Sequence, residues 1–196
     1  GLLVSDATNS SWIAVYHLNL LVDGDDNAII SSVDTRTGNW EVYIYKIDPE
    51  GIQLWGDNGL TLSNSGNDNI SPRLLLEPSD NSVIVTWSDN YTSLRLQRVS
   101  ATGQLLWGEI GLVVSTFNAS YISPQAVKSA DDQILVQAIR QTGSFPALSS
   151  QVAIQKYTLD GIALWSGWTQ VGSPVGFPLG NWLQGLAPDI TGGAFA

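Results

Sequence analysis

IDPEGIQLWGDNGLTLS, residues 47–63, is followed 52 residues later by VSATGQLLWGEIGLVVS, residues 99–115. Both segments read Gly-x-x-x-Trp-Gly-x-x-Gly-Leu-x-(Leu or Val)-Ser at identical spacing, through Gly51, Trp55, Gly56 and Gly59 and then Gly103, Trp107, Gly108 and Gly111. A looser third copy, TLDGIALWSGW, places Gly161 and Trp165 a further 58 residues on. The match extends beyond the segments themselves. Ile70-Ser71-Pro72 and Ile122-Ser123-Pro124 follow Gly59 and Gly111 at equal distance, and Ala187-Pro188-Asp189 resembles another such entry. Self-similarity at a fixed period is the signature of a repeat architecture, and a period in the fifties excludes the common helical and leucine-rich repeats.

Working outward, each period holds short runs of strand character separated by turn residues. Ser93-Leu94-Arg95-Leu96-Gln97-Arg98-Val99 alternates as a half-buried strand does. Arg73–Leu76, Ser82–Trp87 and Gln104–Trp107 complete four strands in that unit. The unit after Pro124 repeats the order with Gln133–Ala138, Gln151–Tyr157 and Ile162–Trp165; the first unit places strands near Ala14–Leu21, Ala28–Val33 and Glu41–Ile47. A four-stranded sheet with two apolar faces cannot bury both alone, whereas radial stacking of such sheets does. The expectation is an all-β fold, a β-propeller of four-stranded antiparallel blades with about three and a half blades present. The chain then reads as one incomplete repeat domain, 1–196, with units near 1–58, 59–110 and 111–170 and a partial unit over 171–196. Pro188 lies closer to its following turn than Pro72 and Pro124 do, as if residues were absent near Ile190.

The repeated residues have structural expectations. Gly51, Gly103 and Gly161 close polar turns that call for positive φ. Trp55, Trp107 and Trp165 are expected to wedge between adjacent blades, each bringing a large apolar area and an N–H in need of an acceptor. Trp87 reads as core, while Trp12, Trp168 and Trp182 follow no clear period. Trp40 and Tyr91 fall in loops between second and third strands, where exposed aromatics are candidate ligand contacts.

Composition limits the chemistry. Net charge is −10 with only 8 Lys and Arg residues, so no basic patch exists for nucleic acid or an anionic membrane. The absence of cysteine excludes disulfides and thiolate metal sites. Asp23-Gly24-Asp25-Asp26-Asn27 could suggest calcium at Asp23 and Asp25, but the ligand ladder of an EF-hand is missing and the stretch aligns with the turns at Asp80-Asn81 and Asp131-Asp132. A hairpin turn is the better reading, with no cofactor and no metal site expected. His17 is the single histidine and has no nucleophile elbow to serve. Asn-x-Ser/Thr sequons occur at Asn9, Asn69, Asn90 and Asn118. Most acids fall in turns, where solvation accounts for them.

The run from Asp34 to Gly56, with Arg36, Gly38, Asn39, Val42, Tyr43, Lys46, Ile47, Asp48, Gly51, Leu54 and Trp55, resembles the propeller repeats of large exported proteins of Bacteroidota that carry type IX secretion signals. Quinoprotein-type and outer-membrane assembly propellers share the Gly and Trp four residues apart, but place the preceding Asp differently. Sialidase Asp-boxes differ in spacing from Asp48, Gly51 and Trp55. The resemblance implies a secreted or outer-surface bacterial protein without a transmembrane segment. The expected role is a non-catalytic interaction, scaffold or adhesion module, binding protein or glycan at the cell surface, as part of a larger surface complex. The alternative is a glycan-active hydrolase or lyase on a propeller scaffold. Inward-facing carboxylates clustered with Arg or His around one pocket would favour that alternative.

Overall fold

A computed structural model describes residues 1, 3–5, 19–144, 146–176 and 185–195. Trp12, His17, Trp182 and the Asn9 sequon lie outside the described residues. The fold is all-β. The first sheet orders β1 (Asn19–Val22), β2 (Ala28–Asp34), β3 (Glu41–Ile47) and β4 (Leu60–Thr61) side by side. The second does the same with β5 (Asn69–Glu77), β6 (Ser82–Asp89), β7 (Ser93–Val99) and β8 (Leu112–Val114). The third is built from β9 (Ser120–Lys128), β10 (Ile134–Thr142), β11 (Ser149–Tyr157) and β12 (Thr169–Val175). A short hairpin, β13 (Ala187–Pro188) and β14 (Ala194–Phe195), follows. Every pairing is antiparallel. β5 lies against both β1 and β9, so the first strands gather toward a common axis and the fourth strands form the outer edges, as in a propeller.

The pleat explains the stacking. Successive strand residues point to opposite faces. Val83 and Val85 therefore join Ile29, Val33, Val42 and Ile44 in the core between the first and second sheets. Ile84, between them in sequence, joins Ile134, Val136 and Tyr157 in the core between the second and third. Burying side chains of this size stabilises by about 1.5–3 kcal/mol each.

One strand differs from expectation. Ile52–Trp55, Gln104–Trp107 and Ile162–Trp165 are not the fourth strands of their units. Each run makes a single bridge to the third strand, Ile47 to Gln53, Val99 to Leu105 and Tyr157 to Ala163, and then leaves the sheet. The outer strand forms later, from Leu60, Leu112 and Thr169 onward. Gly56 (φ 90°) and Gly59 (φ 69°) turn the chain back in the first copy. At Gly59 a Cβ would lie 2.6 Å from the Ile44 carbonyl oxygen, so the turn runs hard against β3 and only glycine fits.

The Ser-Pro repeat is also explained. Ser71 (φ 57°) and Ser123 (φ 53°) are left-handed, and pairing slips at Ile70/Arg73 and opposite Gln137/Ile139. Proline lacks a ladder donor, and the bulge accommodates it inside the innermost strand.

Gly103 packs on Trp55: a Cβ there would stand 2.9 Å from the indole Cδ1. Gly161 faces Trp107 in the same way, at 3.2 Å from Cε2. Each indole thus lies beneath the glycine turn of the following unit and donates across the junction, Trp55 Nε1 to Ala101 O at 3.3 Å and Trp107 Nε1 to Leu159 O at 3.1 Å. Trp165 is half-buried and packs with Leu135, Ile154 and Leu186. Gly51 has φ 89° and closes its turn through a bond from its N to Asp48 O.

Candidate functional site

Each sheet has two ends. At one end lie the hairpin turns between first and second strands. Asp23 accepts from the backbone of Asp25 and Asn27 and pairs with Lys46 Nζ at 2.8 Å. Asp80 with Arg98 (2.7 Å) and Asp131 with Lys156 (2.7 Å) repeat that pair in the next two sheets. Lys46 thus pairs with Asp23 inside the hairpin, while Asp25 is held by Asn81 of the next one. Burial opposes ionisation of Asp23, but its bonds from Lys46 and Asn27 outweigh burial and hold its pKa down at about 2. Asn81 of the second hairpin clips onto the first, accepting from Gly24 N at 3.1 Å and donating to Asp25 at 3.0 Å.

The other end carries the loops joining second to third strands and fourth strands to the next sheet. There the first junction assembles a buried polar cluster. Glu41 opens β3 and Asp89 closes β6, and both are almost fully buried, at 1% and 3% exposure. Ser63 Oγ, following β4, donates to Glu41 Oε2 through a short bond and accepts from Val42 N at 2.8 Å. Asn69, at the head of β5, donates to Glu41 Oε2 at 3.2 Å and accepts from Trp87 Nε1 at 2.9 Å. Asp89 is held by Arg95 Nε at 2.8 Å and by Asn67 Nδ2 at 3.0 Å. Burial pushes the Glu41 carboxyl above the usual range, and the Asp89 charge adds to that, against the bonds from Ser63, Asn69 and the Gly66 backbone. The arrangement is one carboxyl biased toward its protonated form beside an ion-paired carboxylate. Ser63, Asn69, Trp87 and Arg95 line a cleft of about 270 Å³, with Glu41 directly behind Ser63 and Asn69.

The sequence reading passed over Glu41 and Asp89, treating acids as turn residues. Both lie in strands, and Asp34 and Asp89 occupy matching places at the ends of β2 and β6, opposite Glu41 and Ser93. The signal available was an acid heading the apolar run Val42–Ile44, where the next unit has Ser93. Trp40 is half-buried against the core between the first and second sheets, and its carbonyl accepts from Asn69 N at 2.7 Å. Tyr91, half-exposed and left-handed (φ 56°), sits on the β6–β7 loop. Asn69 is fully buried in the cluster, closed to glycosylation.

No protein-family model matches the chain, and no curated protein matches it. Among solved structures it is similar to an endo-arabinase from Bacteroides thetaiotaomicron VPI-5482, at 11% identity and a TM-score of 0.49, covering 81% of this chain and 61% of that one. It is also similar to an endo-1,5-alpha-L-arabinanase from Thermotoga petrophila RKU-1, at 17% identity and a TM-score of 0.44, covering 81% of this chain and 42% of that one. The chain therefore spans less than two thirds of either protein's length. Both are named as glycan-cleaving enzymes, a finding that goes against the expectation of a non-catalytic interaction or scaffold module, and that expectation is withdrawn. The expected solvation of the acids is corrected as well, for Glu41 and Asp89 are buried in a shared network. Among the described residues no helix is long and apolar enough to cross a membrane.

Proposed function

We propose that this chain forms part of a glycan-active enzyme, a glycoside hydrolase on a β-propeller scaffold. The observation that supports it is the buried pair Glu41 and Asp89, which lie behind a cleft and reach its wall through Ser63 and Asn69 and through Arg95. A carboxyl raised toward its neutral form near an ion-paired carboxylate is the kind of pair glycosidic cleavage uses. Glu41, its carboxyl raised toward the neutral form, is the proton source: the Ser63 hydroxyl, which donates to Glu41 at rest, turns to the cleft, gives its proton to the leaving oxygen and takes the Glu41 proton in its place. Asp89, held behind the wall by Arg95, supplies a carboxylate on the same side of the cleft to offset the positive charge that develops on the sugar carbon as the bond breaks. Water adds its hydroxyl to that carbon, and its second proton restores Glu41. The weakly charged surface and the resemblance of the 34–56 repeat to exported Bacteroidota propellers support a secreted or outer-surface location.

The test is hydrolysis of arabinan, xylan and β-glucan by the full chain and by Glu41→Gln and Asp89→Asn. The reading requires sugar release that falls at least a hundredfold in either variant, with both variants folded and Glu41→Gln unfolding at the parent's temperature. Release that persists undiminished in folded Glu41→Gln would remove the pair from catalysis and leave it as a brace for the 63–69 loop.

A further inference from the structure

The second junction carries a different cleft at the same end of the molecule. Its volume is about 420 Å³, within the range of small-molecule sites. Its wall comes from three segments: the β6–β7 loop at Thr92 and Ser93, the crossing from β8 to β9 at 115–120, and the end of β10 at 141–143. No charged side chain lines it, in a chain of net charge −10. The lining groups are hydroxyls and the amides of Asn118 and Gln141. Phe117 stands on the crossing loop with its side chain wholly in solvent, at 102% relative exposure.

A single exposed ring is common on protein surfaces; Phe117 stands apart because it rims an uncharged polar hollow on a loop. The loop is braced rather than loose. A bridge joins Thr116 to Ala119, and Thr116 Oγ1 donates to the Ala119 carbonyl at 3.3 Å, setting Phe117 and Asn118 at a tight tip. Gln141 is fixed by its bond to Ser150 at 3.2 Å, and Tyr121 N is fixed by Thr92 O at 3.0 Å. A ring face with neutral donors and acceptors around it matches the two surfaces of a neutral sugar, whose axial C–H groups stack on an aromatic ring while its hydroxyls take directed hydrogen bonds. Charged lining would instead select a uronate or a phosphate.

We propose that this second-junction cleft is an accessory subsite for uncharged sugar residues of a polysaccharide, with Phe117 as its stacking platform. The inference rests on the glycan-active reading and names the substrate class that reading leaves open. It places sugar contacts one blade away from the Glu41 and Asp89 cluster, so one extended chain would touch both junctions.

Affinity electrophoresis of the full chain tests this, in gels containing arabinan, xylan, β-glucan or polygalacturonate. At least one of the three neutral polymers should retard the chain, and polygalacturonate should not. Phe117→Ala should lose most of that retardation and Gln141→Ala part of it, with unchanged thermal unfolding. Retardation unaffected by Phe117→Ala, absent with all three neutral polymers, or strongest with polygalacturonate would overturn the subsite. Hydrolysis that survives Glu41→Gln alongside retardation that needs Phe117 would strike the catalytic assignment alone. Loss of hydrolysis in Glu41→Gln with retardation indifferent to Phe117 would strike the subsite alone.

Discussion

The two junctions between sheets share one frame and differ in what they hold. In both, an indole sits under the next unit's glycine, a third strand opens below a crossing loop, and a cleft lies between neighbouring loops. The first places Glu41 at the head of its third strand and ties it to Ser63 and Asn69. The second places Ser93 there and leaves its cleft neutral, under an exposed phenyl ring. Positions that keep the period build the frame, and positions that break it set the two clefts apart.

The largest expected effect comes from exchanging the two heads. Glu41→Ser should lower glycan hydrolysis by about 10²–10⁴-fold, the span of a lost proton donor, whereas Ser93→Glu should lower it far less, through the charge it brings to the second cleft and to Asp89 opposite. Comparable losses in both would show the junctions to be equivalent. The same carboxyl predicts a pH response of known sign. Its folded pKa is raised, so ionising it costs stability as pH rises from the unfolded value through the folded one. Glu41→Gln should therefore be no less stable than the parent at neutral pH in urea unfolding.

Next in size are the indoles. Trp55 is 6% exposed and Trp107 is half-buried. Trp55→Ala should cost about 3–5 kcal/mol in chemical denaturation and Trp107→Ala clearly less. Equal costs would show that depth does not separate the junctions.

A smaller effect distinguishes the hairpin ends. Asp23 is buried against Lys46 and its pKa is held at about 2, whereas Asp131 is half-exposed in its pair with Lys156. The folded value lies below the unfolded one of about 3.9, so this stability is present above about pH 4 and fades as pH falls toward 2. Asp23→Asn should remove about 2 kcal/mol at pH 6 and flatten the acid limb of the stability curve. Asp131→Asn should change that limb much less. The smallest effect is Phe117→Ala, which should shift stability by no more than about 0.5 kcal/mol, since the ring touches solvent alone.

The frame was legible because repeated residues report on themselves. The spacing of Gly103 and Trp107 relative to Gly51 and Trp55 gave the unit length, and alternation in 93–99 gave a strand. The outer strands were misplaced because Gln104–Trp107 has strand composition. Only the sheet shows that it makes one bridge before Gly108 and Gly111 turn the chain away. The Glu41 cluster was hidden for another reason. Its members come from two sheets and lie 22 to 48 residues from Glu41, and no local pattern joins Ser63, Asn69 and Asp89 to it. The paired cations Lys46, Arg98 and Lys156 were equally unread, since each finds its Asp across the width of its own sheet.

The interlock of indole and glycine gives assembly a direction. Trp55 acquires its cover when the chain has reached Gly103, and Trp107 when it has reached Gly161. On a ribosome, the ring of a newly made blade would lack its cover until roughly fifty further residues have emerged. A pause in translation would leave the latest ring bare, and that moment is when the nascent protein is most exposed to aggregation.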